Sequence, residues 1–392
     1  MWKISKLGEI CNFEGGSQPP KSAFVYEQKD NYVRFNQIRD FKSDKNKTYI
    51  PVSKKNKLCC EDDILIGRYG ASVGKILTGL SGAYNVAIMR AIPNKDILNR
   101  RYLYLYLSSE LFQKPLQEVS QRSAQNGFSK NDIFDFEVPL PTLAEQQSIA
   151  TKLDAAFAEI DKSILVTQDN SNNAKKCFLK YLNNLFNTKN SRWINTTISE
   201  ICSIKSGTTI KPGLEKTIGE IPYLKVADMN LKENSIEVKT SSRFLNLKDI
   251  RKNSIIESGA TIFPKRGGAI STNKKRIITN QICADLNIMS VLPKSKILLP
   301  KLLYYYFINI DLSKLGSGSS IPQINNYDIE PLSISFPSEI EEQNKIINKI
   351  DKLYIETNKL ENIYKSKCMY LKILKNSFLS KYFNESNIIK VA

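Results

Sequence analysis

The feature that most restricts this chain is a long apolar seam behind two prolines. Pro139 and Pro141 end whatever precedes them, and Thr142, with Glu145 three residues on, forms a capping box that starts a helix. From there Leu143, Gln146, Ala150, Leu153, Phe157, Ile160 and Ile164 alternate spacings of three and four. The series weakens through Thr167, Ser171 and Ala174 and recovers at Phe178, Tyr181 and Leu185. A heptad seam of this length predicts a helix lying along a partner helix.

That partner is expected in the same chain, because Phe336 to Tyr382 repeats the pattern. Glu342-Gln343 follows Glu145-Gln146 by 197 residues, and Lys349-Ile350-Asp351 follows Lys152-Leu153-Asp154 by the same interval, with Tyr354 continuing the second seam. One such stretch alone could be an amphipathic helix on a globular domain. Two in register, each behind a proline and each closing a segment of similar length, predict a pair. The polar tract 167–173 inside the first reads equally as a kink, a break or a solvated stretch.

The segments before the two helices also duplicate. Leu7–Cys11 matches Ile198–Cys202, Gly16 matches Gly207, and Tyr32-Val33-Arg34 matches Tyr223-Leu224-Lys225, all 191 residues apart. Asp63–Ala71 resembles Gly259–Gly268, while Ala87-Ile88-Met89 and the Tyr/Leu run at 102–107 recur 200 residues later. Loop insertions account for the drift. Apolar runs at 63–66 and 260–263 predict strands, and the two Tyr/Leu runs predict helices. The expected organisation is mixed α/β: domains at 1–141 and 190–337, helices at 142–189 and 338–384, and a tail at 385–392.

Charge narrows the partners. The net charge of +18 points to a polyanion, most simply nucleic acid, although a generally basic protein remains the plain alternative. No run of 18 apolar residues and no signal-like N-terminus occur, so a cytoplasmic location without membrane contact is expected. The seven cysteines have no metal-ligand spacing and read as reduced thiols. Histidine is absent, which removes Ser-His and Cys-His chemistry and His-ligated zinc. No methyltransferase, Walker or nuclease motif stands out, so neither catalytic residues nor a bound cofactor or metal is expected.

Candidate contacts to nucleic acid lie in polar and basic loops. Gly70–Lys75 looks like a P-loop, but Tyr69 stands where the first glycine is required and Ile76 replaces the magnesium-holding hydroxyl. The better reading is a basic glycine turn, Arg68-Tyr69-Gly70 with Ser72 and Lys75, paralleled by Lys265-Arg266-Gly267-Gly268; glycine lets backbone approach a phosphate that the cation neutralises. A second candidate is the loop carrying Gln121, Arg122, Gln125, Asn126 and Lys130, with Ser317, Ser319, Gln323 and Asn325 in the other copy. Gln and Asn can pair with adenine and Arg with guanine, though any solvated loop has this composition. Arg34, Asn36, Gln37, Arg39, Lys225, Asn273, Lys274, Lys275 and Arg276 complete the set.

These residues together resemble the DNA specificity subunit of type I restriction-modification systems. The likeness is carried by Pro139–Gln146 with Lys152-Leu153-Asp154, by Pro337 to Asp351, and by the turns 68–74 and 264–270, and it covers nearly the whole chain. The second copy departs in having Phe336 before Pro337, without the first proline. The resemblance implies two target recognition domains, each reading half of a split site in double-stranded DNA, separated by two long helices pairing as an antiparallel coiled coil. The helices would set the spacer and dock two modification (methyltransferase) subunits, with Glu145, Gln146, Leu153, Phe157, Ile160, Ile164, Glu342, Gln343, Ile350 and Tyr354 in docking or the seam. It further implies S-adenosylmethionine on those partners, and ATP and Mg on restriction/translocase subunits. The rival readings are a type IIB specificity subunit, a coiled-coil scaffold without a DNA role, and an unrecognised enzyme.

Overall fold

The computed structural model describes residues 2–122, 126–188, 190–211, 213–315 and 321–383. They fall into two compact units, one within Met1–Gln168 and Ser366–Ala392, the other spanning Asp169–Lys365. Two continuous helices, Leu143–Phe186 and Ile340–Phe383, contribute to both.

In the first unit, Cys11–Gly15 lies antiparallel to Ile88–Pro93, which pairs in turn with Ile64–Gly67 and then Ile76–Leu77. A second sheet orders Tyr49–Pro51, Tyr32–Asn36, Gly82–Tyr84 and Leu58–Cys59, with Phe35 opposite Ala83 in a parallel pair. A ribbon of Lys3–Lys6 on Glu137–Leu140 carries the chain to Thr142. The second unit repeats all three sheets. Cys202–Ser206, Ile288–Pro293, Thr261–Pro264 and Arg276–Ile278 form one, extended by Glu237–Val238. Phe244–Leu245, Ile221–Leu224, Ile282–Ala284 and Ile255–Ile256 form the next, and Trp193–Thr197 on Ser333–Pro337 the ribbon. Gly16 and Gly207 show why the repeat keeps glycine: a Cβ at either would lie about 2 Å from the carbonyl oxygen of Asn85 or Asp285.

The Tyr/Leu runs are helices, as expected: Arg100–Ser108, capped by the Asn99 side chain, and Pro300–Asn309, which starts on proline. Three of their tyrosines are buried and donate to ribbon carbonyls. Tyr102 reaches Pro139 O at 2.6 Å, Tyr106 reaches Glu137 O at 3.1 Å, and Tyr306 reaches Ser333 O at 2.9 Å. The long helices close these cores. Ile149, Leu153, Phe157, Ile160, Leu379 and Phe383 pack into the first, and Phe178, Leu182, Phe186, Ile347 and Ile350 into the second.

Within each unit the two helices run antiparallel. In the first, Lys375 Nζ meets the Asp161 carboxylate at 2.7 Å and lies over the Phe157 ring, while Cys368 approaches Ile164 O. In the second, Phe178 and Tyr354 rings lie 5.5 Å apart and Lys349 sits over Tyr181. The polar tract does not break the helix, which runs without interruption from Leu143 to Phe186. Thr167 is buried, its hydroxyl returned to Ser163 O at 2.6 Å, and the residues after it are largely solvated.

Candidate nucleic-acid interface

Each recognition edge begins with how the long helix is locked to its domain. The expected capping box forms: Thr142 N–H donates to Glu145 at 2.9 Å, and Glu145 N–H donates to the Thr142 hydroxyl at 3.3 Å. Gln146 is fully buried. Its amide donates to Ile97 O and Pro141 O at 2.9 and 2.8 Å and accepts from Asn99 N–H at 2.7 Å. Gln343 repeats this with Ile297 O, Pro337 O and Leu299 N–H at 2.6, 2.8 and 2.9 Å. Both amides are therefore spent inside their own units. Glu145 is engaged at its cap, whereas Glu342 is exposed. Asp154 and Asp351 complete the attachment by accepting from Arg101 and Lys301 of the Tyr/Leu helices.

The two candidate loops of each copy meet. Tyr69 bridges Gly127 antiparallel and Gly70 N–H donates to Asn126 O at 2.8 Å; Arg266 bridges Gln323 and Gly267 N–H donates to Pro322 O at 2.8 Å. Gly70 and Gly267 both take positive φ, +57° and +65°, with open space beyond their Cα atoms. Arg68 is half-buried; it stacks over Tyr69 and donates to Phe128 O at 3.3 Å and Val86 O at 3.4 Å. Lys75 Nζ reaches the Ser72 hydroxyl. Arg266 Nε donates to Gln323 Oε1 at 2.9 Å, and Gln323 donates to Asn325, which caps the turn Asn326–Ile329 through its N–H to Asp328. Lys265 Nζ rests on the Ser206 hydroxyl at 2.8 Å, and burial, then the neighbouring Arg266 charge, lowers its pKa. Gln121, Arg122, Asn126 and Lys130 are exposed on the first edge, with Asn126 in the left-handed region at φ +45°. Gln125, Ser317 and Ser319 lie outside the described residues.

Other candidates sit elsewhere or are enclosed. Asn36 is buried, its amide donated to Ser81 O at 3.0 Å. Lys275 is 1% exposed, with Nζ at 2.6 Å from both Asn273 Oδ1 and Ile310 O; burial depresses its pKa to about 7, against a smaller opposing pull from Asp311. Arg276 donates to Lys275 O and Met229 O at 2.7 and 2.8 Å. The side chains of these three are engaged by partners within their own units, and Arg276 is half-buried. Arg34 pairs with Asp44, Lys225 with Glu215, and Lys274 donates to Asn230. Gln37 accepts at a capping box beside exposed Arg39. Asn273, at φ +53°, accepts from Leu312 N–H as well as Lys275. Ser206, which positions Lys265, was passed over in sequence because only the strand pairing brings it near.

A model of the type I restriction modification DNA specificity domain matches residues 1–167 and again 190–367. The chain belongs to that family. Type I specificity subunits resemble it along their length: the MjaVIII subunit of Methanocaldococcus jannaschii is 23% identical over 95% of this chain and 92% of its own. The EcoKI subunit of Escherichia coli K12 is 21% identical over 97% and 88%. Among solved structures, a chain from a study of complex assembly and conformational transition of the type I system superposes with TM-score 0.77 at 16% identity, covering 97% of both. The HsdS subunit from Thermoanaerobacter tengcongensis gives 0.55 at 17%, covering 97% of this chain and 96% of that one. These two likenesses carry the fold. As a type I specificity subunit, the chain serves DNA sequence recognition and assembles with other restriction-modification subunits. Among the described residues no helix is long and apolar enough to cross a membrane.

Proposed function

We propose that residues 1–141 and 190–337 are target recognition domains, each reading one half of a bipartite site in double-stranded DNA. Helices 142–189 and 338–384 set the gap between half-sites and dock two methyltransferase subunits. The chain itself performs no chemistry and works in the cytoplasm; S-adenosylmethionine, and the ATP and Mg of any restriction subunit, belong to its partners. The observation that carries this reading is the repeated edge, in which a basic glycine turn is joined to a polar loop at the same place in both copies.

Two further features support it. Each helix has 44 residues, about 66 Å at about 1.5 Å per residue, against about 34–36 Å for one turn of B-DNA. The second helix also leaves apolar side chains uncovered: Ile355 and Ile363 in one unit, and Met369, Tyr370 and Ile373 in the other, are each more than half exposed. Long-read sequencing of methylated bases in cells carrying the modification genes, with and without this gene, tests the reading. A split motif that depends on the gene is expected; an unchanged methylome would reject it.

A further inference from the structure

A second basic turn recurs in both copies. Lys54-Lys55-Asn56-Lys57 and Arg251-Lys252-Asn253-Ser254 stand 197 residues apart. Each leads into a two-residue strand, Leu58–Cys59 or Ile255–Ile256, laid antiparallel on Gly82–Tyr84 or Ile282–Ala284. The fold therefore holds both turns at equivalent positions, beside the end of strand Cys11–Gly15 or Cys202–Ser206.

The surroundings of the two turns differ in charge. In the first copy Glu14 accepts from Lys57 at 2.8 Å, and that ion pair keeps its carboxyl below the usual range, so the turn is partly neutralised from within. In the second copy Lys205 stands at the matching position. Here the turn borders a groove of about 830 Å³ whose lining includes Lys205, Ser206, Lys211, Asp249, Arg251 and Asn253. Lys205, Lys211 and Arg251 are exposed, and Asp249 is the sole carboxylate among the lining residues. Among the described residues, the ion pairs of this unit join Lys225 and Arg243 to Glu215, Arg243 to Asp228 and Lys301 to Asp351, so these three cations are outside them. Ser206 also holds Lys265, which places the first basic turn on the rim of the groove.

We propose that this groove binds the DNA sugar–phosphate backbone next to the half-site read by residues 190–337, a refinement that rests on the recognition reading above. Lys205, Lys211 and Arg251 meet successive phosphates, and the Ser206 and Thr208 hydroxyls and the Asn253 amide supply neutral donors, the mixture that positions a duplex without reading it. The groove is larger than a single phosphate requires. The first copy, with Glu14 in the equivalent place, holds its backbone less tightly.

The test uses the full chain assembled with its modification subunits. Binding to duplexes with the intact site and with scrambled half-sites is titrated against salt for Lys205→Ala, Lys211→Ala, Arg251→Ala and, as a control of equal charge change, Lys248→Ala, an exposed lysine outside the lining. Each groove variant is expected to weaken both duplexes several-fold alike and to lower the salt slope by about one unit for each phosphate no longer neutralised, with Lys248→Ala unchanged. Groove variants that bind as wild type, or no better distinguished than Lys248→Ala, would overturn the groove while site reading by the complex stands. A wild-type complex that binds no duplex would overturn the recognition reading and the groove with it.

Discussion

Replacing Gln146 by Met keeps the length and bulk of the side chain and removes its amide. Three main-chain groups, of which the Pro141 carbonyl is the buried one, then lose their partner at once: Asn99 N–H and the Ile97 and Pro141 carbonyls, now held at 2.7, 2.9 and 2.8 Å. A buried group left unpaired costs about 1–3 kcal/mol, and water reaches the Asn99 and Ile97 groups more readily than the Pro141 carbonyl, so about 2–3 kcal/mol is expected. Gln343→Met should cost a similar amount, because its three partners are equivalent. The two have no partner in common, so their effects should add. Denaturant unfolding of the single and double variants, with the slope checked for constancy, measures this. A loss under about 1 kcal/mol for both would mean that the amides fill space without bonding, and the lock would be misread.

Arg68→Ala should weaken binding to all duplexes and lower the salt slope, whereas Asn126→Ala should cost about 1–3 kcal/mol on the preferred site only and relax one half of the motif; salt titration on specific and scrambled duplexes separates them, and the reverse pattern would exchange their roles. Four residues inserted after Ala150 add about 6 Å and about 40° beyond a full turn, so the methylated motif should keep both halves and change its gap; an unchanged gap at full activity would reject the helix as ruler. Lys275 has its folded pKa depressed from 10.5 to about 7, so between those values the unfolded chain holds the extra proton and stability should rise with pH across that window. Lys275→Met should remove this rise, as read from denaturation midpoints at pH 7 and pH 9; equal pH slopes in both proteins would refute it.

The seam was legible because its apolar spacing is local. Leu153, Phe157, Ile160 and Ile350 are buried where the three-and-four pattern puts them, although Leu143 remains exposed and Leu182 and Phe186 bury more deeply than Tyr181 and Leu185. The meaning of Glu-Gln was not legible in the same way. The capping carboxylate acts within three residues, but the Gln146 amide finds Ile97 and Asn99 more than forty residues back, and only the folded domain brings them there. Long-range pairing likewise joined each basic turn to its polar loop. The run Lys274-Lys275-Arg276 shows the same limit from the opposite side. It looks like a phosphate-binding cluster, yet it enters strand Arg276–Ile278, and Lys275 is buried with its ammonium donated to Ile310 O. A charge run shows its sign in sequence and its exposure only in the fold.

The duplication supplies an internal control for telling framework from function. Residues that hold the architecture recur with their chemistry intact: Gln146 and Gln343, Asp154 and Asp351, Gly16 and Gly207, Gly70 and Gly267. Each is tied to a constraint that any copy of this domain must satisfy, a main-chain group to be paired, a helix attachment, a close backbone approach or, at Gly70 and Gly267, a left-handed φ. The loops at the recognition edges do not recur in this way. Asn126 and Gly127 in the first copy hold the places that Pro322 and Gln323 hold in the second, at equivalent backbone bridges. One strand position beside the second basic turn also changes sign, from Glu14 to Lys205. Two copies reading identical half-sites would have the same reason to keep their edge chemistry as their framework chemistry. Different residues on the two equivalent edges are what an asymmetric site requires, with different bases in its two halves.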